Sequence, residues 1–419
     1  DGMTNIWVTP SPLDDNSAFR TVLVIDDDRF MPVESLKNLD ADLKFFTEDS
    51  IGRDGDKIYV YSLTDPSTRT AELSTKLYGI YDRDFRDGVN QNITIKNLEF
   101  RYYGYAGIDL RDSQPNGNYL IDNCDFYFNR DVGVILWGGF SNNIVQNCMV
   151  SYCGNGLYTS RGSDNNSFFG NTIRNTIIYP LSDGFVDGHG IGVYRSINVL
   201  IERNYITTPF NGGGAIGLDE ADGVIRYNKC HSENAAAIGS NIVNAGDTLD
   251  IYYNKVFGEN PRGTCFGIHN TIGKVNIFNN TAIQNGSVLD MSTLYYPNNV
   301  TVKNNIFYNH SAITSIIRFT YAGTPEMDHN IFLNKNDIAY YIIGNNFTTL
   351  SAWQTNSSQD ANSLTSDPLF TDVSNDNFNL QKGSPAIDAG TDVGLTHDIN
   401  GNPIVGNPDI GTYEFEATN

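Results

Sequence analysis

The sequence predicts an all-β chain wound as a right-handed parallel β-helix. This is a solenoid of about ten coils with an N-terminal β cap and a C-terminal covering segment. Three observations carry that expectation. An asparagine returns ten times, at Asn97, Asn123, Asn147, Asn171, Asn204, Asn228, Asn254, Asn280, Asn305 and Asn330, with spacings of 26, 24, 24, 33, 24, 26, 26, 25 and 25 residues. The apolar pattern around it returns as well, as in IERNYI, IRYNKC, IYYNKV and VKNNIF. A short Gly- or Ala-led strand then follows each turn about ten residues later. Stacked coils place equivalent side chains one strand spacing apart, roughly 4.8 Å. A buried Asn in such a column bonds its neighbours above and below, which satisfies its amide in an apolar interior.

Residues 1–91 lack the repeat and read as an N-terminal β cap and lead-in region. TVLVIDDDRF and DKIYVYSLTDPST alternate as half-exposed strands, with Gly55-Asp56 turning into the second. A cap shields the first coil's open edge from strand addition. Residues 92–345 form the repeats. Residues 346–419 are expected to close the last coil and lie along the solenoid's side.

Two stretches carry a resemblance. DGDKIYVYSLTDPST, YGIYDRD and NITIKNLEFRYYGYAGI resemble the opening region of secreted bacterial β-helix proteins of the pectate-lyase-like superfamily. SDPLFTD, FNLQKGSPAIDAG and NPDIGTYEF resemble the closing segment of such proteins. The resemblance implies a secreted or cell-surface, carbohydrate-active protein. It does not select a chemistry, because the superfamily hosts lyases, hydrolases, epimerases and adhesins.

Registering the Gly-led strands on Ile108, Val134, Leu157, Ile191, Ile216, Ile238 and Phe266 turns their second and fourth residues outward. The fourth-position column reads Arg111, Trp137, Ser160, Tyr194, Asp219, Asn241 and His269. Aromatic and polar groups in one strip suit sugars, whose rings stack and whose hydroxyls hydrogen-bond. The long 33-residue coil carries an insertion within 177–195, bringing Asp183, Asp187 and His189 to the edge of the strip beside Tyr194 and Arg195. The next coil adds Asp219 and Glu220.

Glycoside hydrolysis needs two carboxyl groups across the scissile bond. Asp219 facing Asp187 or Asp183 across one coil supplies such a pair. His189 stands nearby and Glu220 is a reserve that alternation turns away. The alternative is lyase or epimerase chemistry, with Tyr158, Tyr194, His189, Arg161 and Arg195 supplying a base and a uronate-neutralising cation. GHG (188–190) is similar to a polygalacturonase motif, AIGLDEAD (215–222) to an acidic strand of β-helix xylosidase-type enzymes, and DGFV (183–186) to a segment of alginate epimerases. The third option is a non-catalytic glycan-binding protein, favoured by the incompleteness of those motifs and by eight N-x-S/T sequons.

The expected partner is a polysaccharide or oligosaccharide. A formal charge of −22 speaks against nucleic acid and makes strongly anionic glycans less comfortable. No stretch reads as a signal peptide or membrane insertion, so the sequence looks like a mature or trimmed product. No cofactor is required by this reading, and no metal site is assigned. Asp-rich turns such as 26–28 are compatible with Ca²⁺. Five cysteines show no zinc spacing, and Cys124 and Cys148 are expected as vertical neighbours, either stacked or disulfide-bonded. Oligomeric state is not readable.

Overall fold

The computed structural model describes residues 6–10, 23–25, 28–32, 44–47, 57–61, 71–73, 78–82 and 92–416, apart from 112–116, 177–187, 210–212, 234–235, 259, 261–262, 292–295, 310–315, 320–323, 335–339 and 343–344. Three long sheets run along a right-handed parallel β-helix. The first has twelve strands; the second and third have ten each. One coil shows the plan: Ile144–Gln146 lies in the second sheet, Met149–Ser151 in the third, and Asn155–Ser160 in the first. Stacking begins upstream of residue 92, because Tyr78–Asp82 already pairs with Ala106–Arg111 in the first sheet. Six upstream strands between Ile6 and Leu73 form a separate sheet.

Each coil turns sharply between the second and third sheets on a residue in the left-handed region. These are Asn97, Asn123, Asn147, Gly170, Arg203, Tyr227, Tyr253, Asn279, Asn304 and His329, with φ between 49° and 63°. From the second coil onward the following residue is buried, and from the fourth onward it is asparagine. Asn171 Nδ2 donates to Asn204 Oδ1 at 3.0 Å, and the pattern repeats through Asn228, Asn254, Asn280 and Asn305 to Asn330 at 3.0–3.1 Å. Each Nδ2 also donates to a carbonyl of the preceding coil, such as Val145 O from Asn171 at 2.9 Å. Each amide is therefore satisfied although almost wholly buried.

The ladder has seven members rather than ten. Asn97, Asn123 and Asn147 occupy the left-handed turn position, one residue earlier, and are exposed. Cys124 and Cys148 take the inward place, and Cys148 N donates to Asn171 Oδ1 at 3.0 Å. The physical reason is that Asn suits both places. It tolerates left-handed backbone better than most residues, and its amide also completes a buried ladder. The two cysteines are free, buried and stacked, with no disulfide.

The interior is filled by aliphatic columns. Ile108, Val134, Leu157, Ile191, Ile216, Ile238, Phe266, Leu289 and Ile317 lie in register and are fully buried. The C-terminal closure contains a helix, Leu350–Ser357, which the sequence reading did not anticipate. It is N-capped by Thr349 and buries Trp353. Trp353 Nε1 donates to Asp360 at 2.8 Å, and Asn330 Nδ2 donates to the same carboxylate at 3.2 Å. Beyond it, the tail packs Phe370, Phe378, Leu380, Ile410 and Tyr413 onto Ile283, Ile306 and Ile331 on the outside of the third sheet.

Candidate functional site

The outer surface of the first sheet is built from two side-chain columns. The second-position column runs Asp109, Ile135, Tyr158, Gly192, Gly217, Gly239, Gly267, Asp290 and Arg318. Four consecutive coils thus place glycine at one outward position. The fourth-position column places Arg111, Trp137, Ser160, Tyr194 and Asp219 in register. Asn241 and His269 follow it in the next two coils.

Over the glycines lies a cleft of about 280 Å³. Its walls include Tyr158, His189, Tyr194, Asp219, Asn241 and His269, and its floor includes Gly192, Gly217 and Gly239. Neighbouring rings lie down on two of the glycines. A Cβ on Gly192 would sit 2.7 Å from the Tyr158 ring, and one on Gly217 would sit 2.6 Å from both Cε1 and Nε2 of His189. Those rings occupy this surface because the sheet beneath them has no side chains.

His189 is held from both sides. Its backbone N donates to Asn155 Oδ1 at 2.8 Å, and its Nδ1 lies 3.2 Å from Gly214 O. That carbonyl can only accept, so Nδ1 carries the proton in the neutral ring and Nε2 is the acceptor over the cleft floor. Asp219 is half-buried, and its Oδ1 accepts from Asn241 Nδ2 at 2.7 Å. Asn241 Oδ1 in turn accepts from Asn270 Nδ2 at 3.0 Å, which fixes the amide's orientation. Burial pushes the His269 pKa down, against the raising effect of the nearby Asp290 carboxylate.

Other sequence candidates are placed elsewhere. Glu220 does not enter the cleft. It makes a two-pronged ion pair with Arg195, Nε to Oε2 at 2.9 Å and Nη2 to Oε1 at 3.1 Å. Arg195 and Glu220 follow their strands in left-handed turns, φ 51° and 49°, which aim the side chains at each other. Arg111, Trp137 and Arg161 form a separate stack further along the solenoid. The two guanidinium carbons lie 5.4 and 4.6 Å from the indole centroid, and Arg111 also donates to Asp109 Oδ1 and Tyr105 Oη at 2.6 Å each. Cations from the preceding and following coils thus approach Trp137, which competes with its expected use as a sugar platform. Asp183 and Asp187 lie outside the described residues.

No lysine or arginine is among the described residues lining the cleft. Among the described residues, no three His, Cys, Asp or Glu side chains gather to hold a metal ion, and no helix is long and apolar enough to cross a membrane. Sequence reasoning missed the glycine column and Asp290. The signal was available, since IGV, IGL, IGS and FGI each place glycine after the registered apolar residue.

The chain folds as a right-handed parallel β-helix, as its coil order and stacked asparagines show. Residues 73–216 match the family model described as "Right handed beta helix region". Among solved structures, it is similar to that of XylC in complex with xylose, with a TM-score of 0.56 and 11% identity over 99% of this chain and 85% of that one. No curated protein matches the sequence. At this identity the likeness shows a shared fold.

Proposed function

We propose that the protein is a carbohydrate-active enzyme that hydrolyses glycosidic bonds of a neutral polysaccharide or oligosaccharide in the cleft over the first sheet. The observation that carries this reading is Asp219. It is a carboxylate with one oxygen anchored by Asn241, set among Tyr158, Tyr194, His189 and His269, with no lysine or arginine among the described residues lining the same cleft. Aromatic walls and hydrogen-bonding edges fit sugar rings. Elimination or epimerisation of a uronate calls for a cation beside the sugar carboxylate. Arg195, the strongest sequence argument for that chemistry, is spent on Glu220.

In this reading Asp219 is one member of a carboxyl pair, held in position by the Asn241 amide. It attacks the anomeric carbon or activates water. A second carboxyl group protonates the departing oxygen, and Asp187 or Asp183, just before His189 in the chain, is the proposed donor. His189 and Asn241 hold sugar hydroxyls. The xylose bound to XylC makes pentose-containing glycans the first substrates to try.

The test is a reducing-sugar assay on a panel of xylan, arabinan, galactan and β-glucan, comparing the parent with Asp219→Asn. A fall of about 10³-fold is expected. Full activity in the variant would overturn the assignment of Asp219. An ultraviolet-absorbing unsaturated product from a uronic glycan would instead identify a lyase. Glycan retention without turnover would identify a binding module.

A further inference from the structure

Resting on that reading of the cleft, we infer that Gly239 is the floor of a sugar-binding subsite and sets its specificity. The ligand class is a neutral pyranose ring seated flat on the strand backbone between His189 and His269.

Glycine inside a strand costs stability and forgoes packing, so each instance asks for a physical reason. Three of the four glycines in this column have one within the protein. Gly192 is covered by the Tyr158 ring and Gly217 by the His189 ring. At Gly267 a Cβ would meet Ala236 Cβ at 3.0 Å and His269 Nε2 at 3.2 Å, both tight. Gly239 has no such reason among the described residues. There a Cβ would meet a single atom of them, Ala236 Cβ, at the ordinary contact distance of 3.4 Å. Its backbone is also outside the left-handed region, where an L-residue would be strained. By contrast, the glycines that start the inward part of each strand, Gly133, Gly156 and Gly190, would each drive a Cβ to within 2.3–2.6 Å of a carbonyl oxygen of the next coil.

The vacancy over Gly239 therefore accommodates nothing among the described residues. It is half-exposed and opens into the cleft. Gly217 and Gly267, with their imidazoles, flank it at one strand spacing each, roughly 4.8 Å. Asn241, two residues along the same strand line, offers an edge for hydroxyls. A bare peptide surface accepts the C–H face of a pyranose most closely when that face carries only axial hydrogens. Equatorially substituted rings thus fit, while an axial hydroxyl directed at the floor would hold the ring off it.

The experiment pairs stability with binding. Gly239→Ala and Gly239→Val are made in the Asp219→Asn background, and retention is measured by affinity electrophoresis in xylan, arabinan, galactan and β-glucan gels. Gly239→Ala should keep or raise the melting temperature, by about 1 °C, while weakening retention about tenfold. Gly239→Val should abolish retention with the fold intact by circular dichroism. Turnover in the otherwise unaltered enzyme should fall in parallel, chiefly through KM. Retention unchanged in both variants, with Asp219→Asn still inactive, would overturn the subsite and leave the hydrolase reading standing. No retention or turnover of any glycan by the parent would overturn both. A melting temperature lowered by several degrees in Gly239→Ala would show that the glycine serves packing, and would also overturn the inference.

Discussion

The outsides of the first and third sheets rest on the same coils, yet they end in opposite ways. On the third sheet the outward column carries bulk: Phe257, Ile283 and Tyr308 stand in register, and the tail from about residue 364 covers them. On the first sheet the outward column is glycine for four coils, and a cleft lies over it. Apolar side chains on one face call for a covering that the chain supplies from its own end. Absent side chains on the other face make room that rings fill over Gly192 and Gly217 and that the described residues leave open over Gly239. Of two exterior faces, the one stripped of side chains is the better candidate for a ligand.

That contrast can be broken by substitutions that separate activity from stability. The largest effect is expected in the cleft: Asp219→Asn should cost about 4 kcal/mol of transition-state stabilisation while its unfolding midpoint stays with the parent's. On the covered face, Ile306→Ala removes a side chain that is 1% exposed. It should lower stability by about 3 kcal/mol in denaturant titration, with kcat/KM unchanged. A smaller effect belongs to Asn241→Ala, which removes the 2.7 Å hydrogen bond to Asp219. It should reduce kcat/KM about tenfold, or about 1.4 kcal/mol, without affecting the melting temperature.

The smallest is a pH effect on the tail. Burial lifts Glu414 from 4.5 to about 7. A raised carboxyl pKa contributes stability that is full below the unfolded value and is lost as pH rises through the folded one. Docking of the tail should therefore weaken between about pH 4.5 and 7. Glu414→Gln stays neutral, so it should match the parent at pH 4 and exceed it at pH 8 by about 1 kcal/mol, allowing for solvent screening. Thermal unfolding at the two pH values checks this.

The coil repeat was legible because burial in a solenoid imposes a strict column, and a buried amide must be paired in every coil. The first three coils were misregistered by one residue because Asn serves two roles in the same turn, and spacing alone does not separate Asn147 from Asn171. Strand alternation correctly gives the order of Tyr194, Asp219 and Asn241. It fails just past the strand ends, where left-handed turns re-aim Arg195 and Glu220 toward each other. The glycine floor was overlooked for a different reason. Reading outward positions by what their side chains could do gives no weight to a residue whose contribution is empty space.

The seven-asparagine ladder has a direction. Every amide-to-amide bond runs from Nδ2 to the Oδ1 of the following coil, and the last Nδ2, from Asn330, meets Asp360, a carboxylate that also accepts from Trp353 and from Ser363 Oγ at 2.6 Å. The polarity makes the solenoid modular: a whole coil duplicated between Asn204 and Asn305 would join the relay without a mismatch, whereas a fractional coil would break it. The ladder's length is thus counted in whole turns and closes on Asp360, so engineered versions should be lengthened or shortened like a ruler cut at its graduations.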